Sequence, residues 1–80
     1  MTETELRAFP AFRELPIYNE SDARADAITS RARAGGRESL SAREVAACLA
    51  DPALVPLGAL RAGTGDGAAV VAYFGAAGDR

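Results

Sequence analysis

Large apolar side chains are grouped along this chain rather than scattered, and the spacing within each group predicts an element. The clearest signal is Leu40-Ser41-Ala42-Arg43-Glu44-Val45. Ser41 and Glu44 stand in the S-x-x-E relation of a capping box, in which each side chain satisfies a free backbone N–H of the other, and Leu40 and Val45 hold the positions of a hydrophobic staple. The helix begun there is expected to run to about Ala50, with Val45, Cys48 and Leu49 facing inward at i, i+3, i+4 spacing. Asp51-Pro52 ends it.

An earlier helix, roughly 22–34, is predicted by the N-cap residue types Asn19, Ser21 and Asp22 and by Gly35-Gly36 at its end. Asp22 and Asp26 lie in its first half and Arg31 and Arg33 near its end, the order the helix dipole favours. Ile28 is its one large apolar residue, with Ala23, Ala27 and Ala34 completing a thin stripe that allows close approach to a neighbour. After Pro52, Leu54–Ala62 and Ala68–Phe74 read as the strands of a β-hairpin across the Gly-rich loop Gly63–Gly67. Pro56 and Gly58 place the first of these strands at a sheet edge. Residues 75–80 are small and polar and are expected to fray.

The first twenty residues read as an arm. Thr2 and Glu5 can cap a turn of helix, but Pro10 and Pro16 interrupt any longer one. The arm carries Phe9, Phe12, Leu15, Ile17 and Tyr18, so it packs on something: across its own domain, closing the core, or onto a partner. Leu15–Tyr18 can also add a short strand at an edge, where Pro16 is tolerated. The fold expected is therefore α+β: two short helices packed on a small antiparallel sheet built on a C-terminal β-hairpin, divided into an arm (1–20), a domain (21–75) and a tail (76–80).

Composition qualifies this picture. The hydrophobic fraction of 49% overstates the core, because nineteen of those residues are Ala, and Leu, Ile, Val and Phe together number 16 of 80. A net charge of −2 does not push the chain open, so it is expected to fold with a marginal core. A marginal core invites a second copy or a partner to cover what one chain cannot. With one cysteine, an acidic opening Met1–Glu5 and no stretch approaching the ~20 apolar residues of a membrane span, the expected location is cytoplasmic, without a membrane partner.

The chain has no His, Lys or Trp. Ser-His-Asp and Cys-His nucleophiles need an imidazole, and Schiff bases and phosphate-binding P-loops need a lysine. One cysteine supplies neither a disulfide nor a zinc site, and Cys48 on an apolar helix face reads as a core or dimer-contact residue. Gly63–Gly67 precedes a strand, whereas a phosphate loop needs a helix N-terminus after it. No spaced carboxylate pair suggests acid–base chemistry. No catalytic residue, metal or cofactor is expected.

Two binding roles remain. Residues 24–43 carry five arginines against Asp26 and Glu38, net +3, while residues 1–22 are net −3 and residues 44–80 net −2. The order helix, extended Arg37–Leu40, capped helix and hairpin resembles a winged-helix module without its third helix, and Ser39-Leu40-Ser41-Ala42-Arg43-Glu44-Val45-Ala46 looks like the opening of a helix-turn-helix. That alternative is a DNA-binding transcriptional regulator using Arg24, Arg31, Arg33, Arg37 and Arg43. Against it, the segment from Pro52 to Leu57 is broken by proline and lacks base-reading side chains. The preferred expectation is a small non-catalytic protein-interaction module, an accessory or regulatory subunit and a candidate homodimer. It would act through its arm and an exposed, uncharged strand, with Phe9, Phe12, Tyr18, Val71 and Tyr73 as partner-binding residues.

Overall fold

In the computed structural model, which describes residues 1–63 and 67–78, Thr2 caps a short helix, α1 (Glu3–Arg7). The Glu5 N–H donates to Thr2 Oγ1 at 3.2 Å, and the Thr2 N–H donates to Glu5 Oε1 at 2.8 Å. Pro10, with its φ already set, opens a 3₁₀ turn over Pro10–Phe12. There follow β1 (Ile17–Asn19), α2 (Ala25–Arg33), β2 (Arg37–Ser39), α3 (Ala42–Leu49), β3 (Leu54–Ala62) and β4 (Ala69–Ala76). The strands form one sheet in the order β1-β3-β4-β2.

The fold is α+β, as expected, but the sheet is mixed. β3 pairs antiparallel with β4 and β4 with β2, whereas β1 runs parallel to β3 with Tyr18 opposite Leu60. The reason is connectivity: α2, β2 and α3 all intervene between β1 and β3, room enough for the crossover that parallel neighbours require. β3 is internal, which corrects its expected edge position. β1 reaches only Ala59 to Arg61, so Pro56 lies beyond the strand that would need its missing N–H, and the register shifts between Pro56 and Gly58 as in a β-bulge. Gly58 has φ +151°, and a Cβ there would lie 2.7 Å from the Pro16 carbonyl oxygen.

Alternation along β4 sorts the two faces. Val70, Ala72 and Phe74 point into the main core with Leu6, Phe12, Val45, Cys48 and Ala59, so α1, the 3₁₀ turn and α3 cover that face. α2 covers the other face. Its buried residues are Ala25, Ile28 and Ala32, while Ala23, Ala27 and Ala34 are exposed, a correction to the expected stripe. The helix starts at Ala25 because Asp22 holds a turn ahead of it, accepting from the Arg24 N–H at 2.9 Å. Gly35, at φ +111°, ends it.

At α3 the Glu44 N–H donates to Ser41 Oγ at 3.2 Å, but the Glu44 carboxylate meets the Ser41 hydroxyl at 3.4 Å rather than its backbone N–H, so the box is half formed. Leu40 keeps 58% of its surface exposed, so the staple buries little. Val45 and Cys48 are buried and Leu49 packs at the core's edge, the inner face expected. The N-terminal segment closes the core through Leu6 and Phe12, each with no exposed surface. β4 extends through Ala76 and the Ala77 N–H donates to the Ala53 carbonyl at 2.8 Å, so the expected fraying does not begin at residue 75. Thr64–Asp66 of the expected hairpin loop, and Asp79 and Arg80 of the expected tail, lie outside the described residues.

Candidate interaction surface

The five residues expected to bind a partner do not form one surface. Phe12 is fully buried, its ring edge-on to Phe74 with centroids 5.5 Å apart, and Phe9 packs partly buried against the same core. Both phenylalanines of the arm are used internally. Tyr18, on the edge strand β1, is covered by the Arg24 guanidinium at 4.4 Å from its ring centroid. Asp22 fixes that guanidinium, accepting from Nε at 3.1 Å and Nη2 at 2.8 Å. These bonds hold the Asp22 carboxyl down at about 2. Val71 and Tyr73 lie on the α2 face of β4, half-buried. The strand that carries them is not exposed: β3 and β2 pair with its two edges, which meets the hazard of a bare apolar strand within the chain itself.

Nor do the five arginines converge. Arg24 is engaged with Asp22 and Tyr18. Arg31 and Arg33 belong to α2, Arg37 to β2 and Arg43 to α3, so the set spans both faces of the sheet. α2 and α3 lie on opposite faces with β2 between them, and β3, not a recognition helix, follows α3. The expected helix-turn-helix geometry is therefore absent among the described residues.

The fold does bring together members of both sets. Thr29, Ala32 and Arg33 from α2, Gly36, Arg37 and Glu38 from the turn and β2, and Tyr73 from β4 line a cleft of about 440 Å³. Glu38 stands opposite Tyr73 in the β2–β4 ladder. Burial, first, and then the Glu38 carboxylate push the Tyr73 phenol above its ordinary range, with Arg33 acting against them. The phenol therefore stays protonated at neutral pH and can donate a hydrogen bond. Gly36 lets the chain approach β4 closely as it enters β2, since a Cβ there would run into the Phe74 carbonyl. Among the described residues Arg33 has no carboxylate within 4.0 Å, and Glu38 brings the opposite charge to the same cleft, while Arg37, opposite Phe74 in the ladder, directs its side chain to the other side of the sheet.

Thr29, Gly36 and Glu38 were not among the residues expected to bind. Their role depends on the pairing of β2 with β4, between segments far apart in the chain, and no local pattern announces it. A second depression of about 380 Å³ is lined by Pro10, Ala11, Arg13, Glu14 and Leu15, with one cation and one carboxylate. Cys48 is buried with its Sγ 3.3 Å from Ser39 Oγ. Among the described residues no three His, Cys, Asp or Glu side chains come together as metal ligands, and no helix is long and apolar enough to cross a membrane. Comparison of the chain with protein-family models, with curated proteins and with solved structures finds no match.

Proposed function

We propose that this chain is a small, non-catalytic interaction module, an accessory or regulatory subunit of the cytoplasm that recognises a protein partner at the α2–β2 side of its sheet. One observation carries the reading. Tyr73, Arg33 and Glu38 line a cleft beside β2, an edge strand paired on one side only among the described residues. An aromatic donor and an arginine next to a strand edge that has no partner among the described residues are features that protein interfaces favour. A homodimer is the other form this reading takes, with a second copy as the partner.

DNA recognition has less support, because the arginines it needs are distributed over both faces and one of them is held by Asp22. A photoreactive side chain introduced at Thr29, in the cleft, tests the reading against one at Ala23, exposed near the start of α2. The expected result is a cross-link to one identifiable protein from Thr29 and none from Ala23. That protein should bind the purified chain, and bind Arg33→Ala or Tyr73→Phe more weakly. Equal cross-linking from both positions, or purified binding indifferent to both substitutions, would sink it.

A further inference from the structure

Resting on that interaction reading, we infer that the open edge of β2 takes an extended segment of a partner protein as a fifth strand, and that this segment alternates acidic with uncharged residues. β2 is bonded to β4 alone, so among the described residues its outer N–H and C=O groups face no strand. The opposite edge, β1, is less open to such addition. Arg24 covers Tyr18, and Arg61 Nη1 donates to Asn19 Oδ1 at 2.9 Å.

Register gives the partner's chemistry. Arg37 lies opposite Phe74 and so belongs to the α3 side of the sheet, where Arg43 stands in the first turn of α3. Both are exposed, and among the described residues neither has a carboxylate within 4.0 Å. Glu38, opposite Tyr73, belongs to the α2 side, where its charge faces that of Arg33 across the cleft. A strand laid against β2 presents alternate side chains to these two sides. Those on the α3 side meet Arg37, which has no carboxylate within 4.0 Å among the described residues, with Arg43 and Glu44 beyond it in the first turn of α3, and are favoured as Asp or Glu. Those on the α2 side enter a cleft whose own charges balance, and are favoured uncharged.

A second copy of the chain fits this edge poorly. Antiparallel pairing about a two-fold axis normal to the sheet sets residues of the same face opposite each other, so centring it on Glu38 places Glu38 against Glu38, centring it on Arg37 places Arg37 against Arg37, and centring it on Ser39 avoids the clash only by pairing Glu38 and Arg37 with Leu40 and Ser41, beyond the end of the strand. Like charges directly opposite are destabilising. An acidic partner strand removes the conflict by placing a carboxylate where the second arginine would stand.

The probe is a capped peptide of alternating Thr and Glu, added to the full chain while backbone amide resonances and amide exchange are followed. Controls are the Thr–Lys counterpart, a peptide of the same composition with its Glu residues in one block, and a single-stranded oligonucleotide. The alternating Glu peptide should shift and protect the amides of Arg37–Ser39. Its affinity should fall about tenfold in Arg37→Ala/Arg43→Ala and several-fold as salt rises from about 0.05 M to about 0.3 M, with circular dichroism confirming that the variant stays folded. Equal binding of the Thr–Lys or block peptide, or shifts centred away from β2, would overturn the inference. Tighter binding of the oligonucleotide at β2 would hand the edge to nucleic acid, and concentration-dependent dimerisation protecting Arg37–Ser39 would hand it to a second copy. If the peptide fails while the Thr29 cross-link yields a verified partner, the acidic strand falls and the interaction module stands; if both fail, both fall.

Discussion

Arg61 Nη2, on β3, donates to Glu3 Oε1, on α1, at 2.6 Å. Through Nη1 the same guanidinium holds Asn19 of β1, so one side chain ties the N-terminal helix, an edge strand and an internal strand together. The pair is partly exposed, at 27% and 43% of side-chain surface, which limits its strength. A double-mutant cycle on Arg61→Met and Glu3→Gln should return a coupling of about 0.5–1 kcal/mol that shrinks in high salt. Strict additivity in chemical denaturation would show that the contact contributes nothing.

Arg7 is the second clamp on the N-terminal segment. Its Nη1 lies 2.7 Å from the Phe12 carbonyl, 3.0 Å from that of Arg13 and 2.7 Å from that of Leu15, closing the turn that carries Phe12 into the core. Arg7→Met leaves these acceptors without their donor and should cost about 1–3 kcal/mol. Lys is expected to recover only part of the loss, since its shorter side chain does not carry a nitrogen as far as Nη1, on which all three carbonyls converge. A Lys variant as stable as wild type in urea melts would refute the geometric reading.

Gly58 and Gly63 both have positive φ, +151° and +84°, but differ in surroundings. A Cβ at Gly58 meets the Pro16 oxygen at 2.7 Å and the Ile28 side chain at 3.1 Å, so it would wedge β1 from β3, whereas among the described residues one at Gly63 meets nothing within 4 Å. Gly63→Ala should cost about 1–2 kcal/mol from backbone conformation alone, and Gly58→Ala more, by a further ~1–3 kcal/mol of overpacking. Equal thermal shifts for the two variants would mean that β1 yields freely.

The Asp22–Arg24 link predicts a pH dependence. Asp22 is depressed from its ordinary 3.8 to about 2, chiefly by the Arg24 side chain and backbone N–H. A carboxyl lowered in the folded state contributes stability that is complete above its unfolded pKa and is lost as pH falls through the folded value. The contribution should therefore be constant above pH ~5 and disappear towards pH ~2. Because the pair lies at the surface, with the Arg24 side chain 70% exposed, solvent screening keeps the effect modest, and Asp22→Asn should flatten that part of the stability–pH curve. An unchanged acid limb would contradict the assignment.

Short-range signals were legible from the chain alone. Ser41 before Glu44, Thr2 before Glu5, Gly35 after a helix and Val70–Phe74 after a Gly-rich loop each act within one turn or one hairpin, so α1, α2, α3 and the β3–β4 pair follow from neighbours in sequence. What the tertiary structure decided is everything that depends on which distant segments meet. That β1 runs parallel to β3, that Pro56 is tolerated in an internal strand because β1 stops short of it, and that α2 buries Ala25, Ile28 and Ala32 are resolved by packing, the last because alanine-rich stripes of equal hydrophobicity lie on several sides of that helix. Phe12 was legible as apolar but not as internal, since a core and an interface bury the same kind of surface. The cleft exists only because β2 lies beside β4, bringing Glu38 to Tyr73 and leaving β2, among the described residues, paired on one side only.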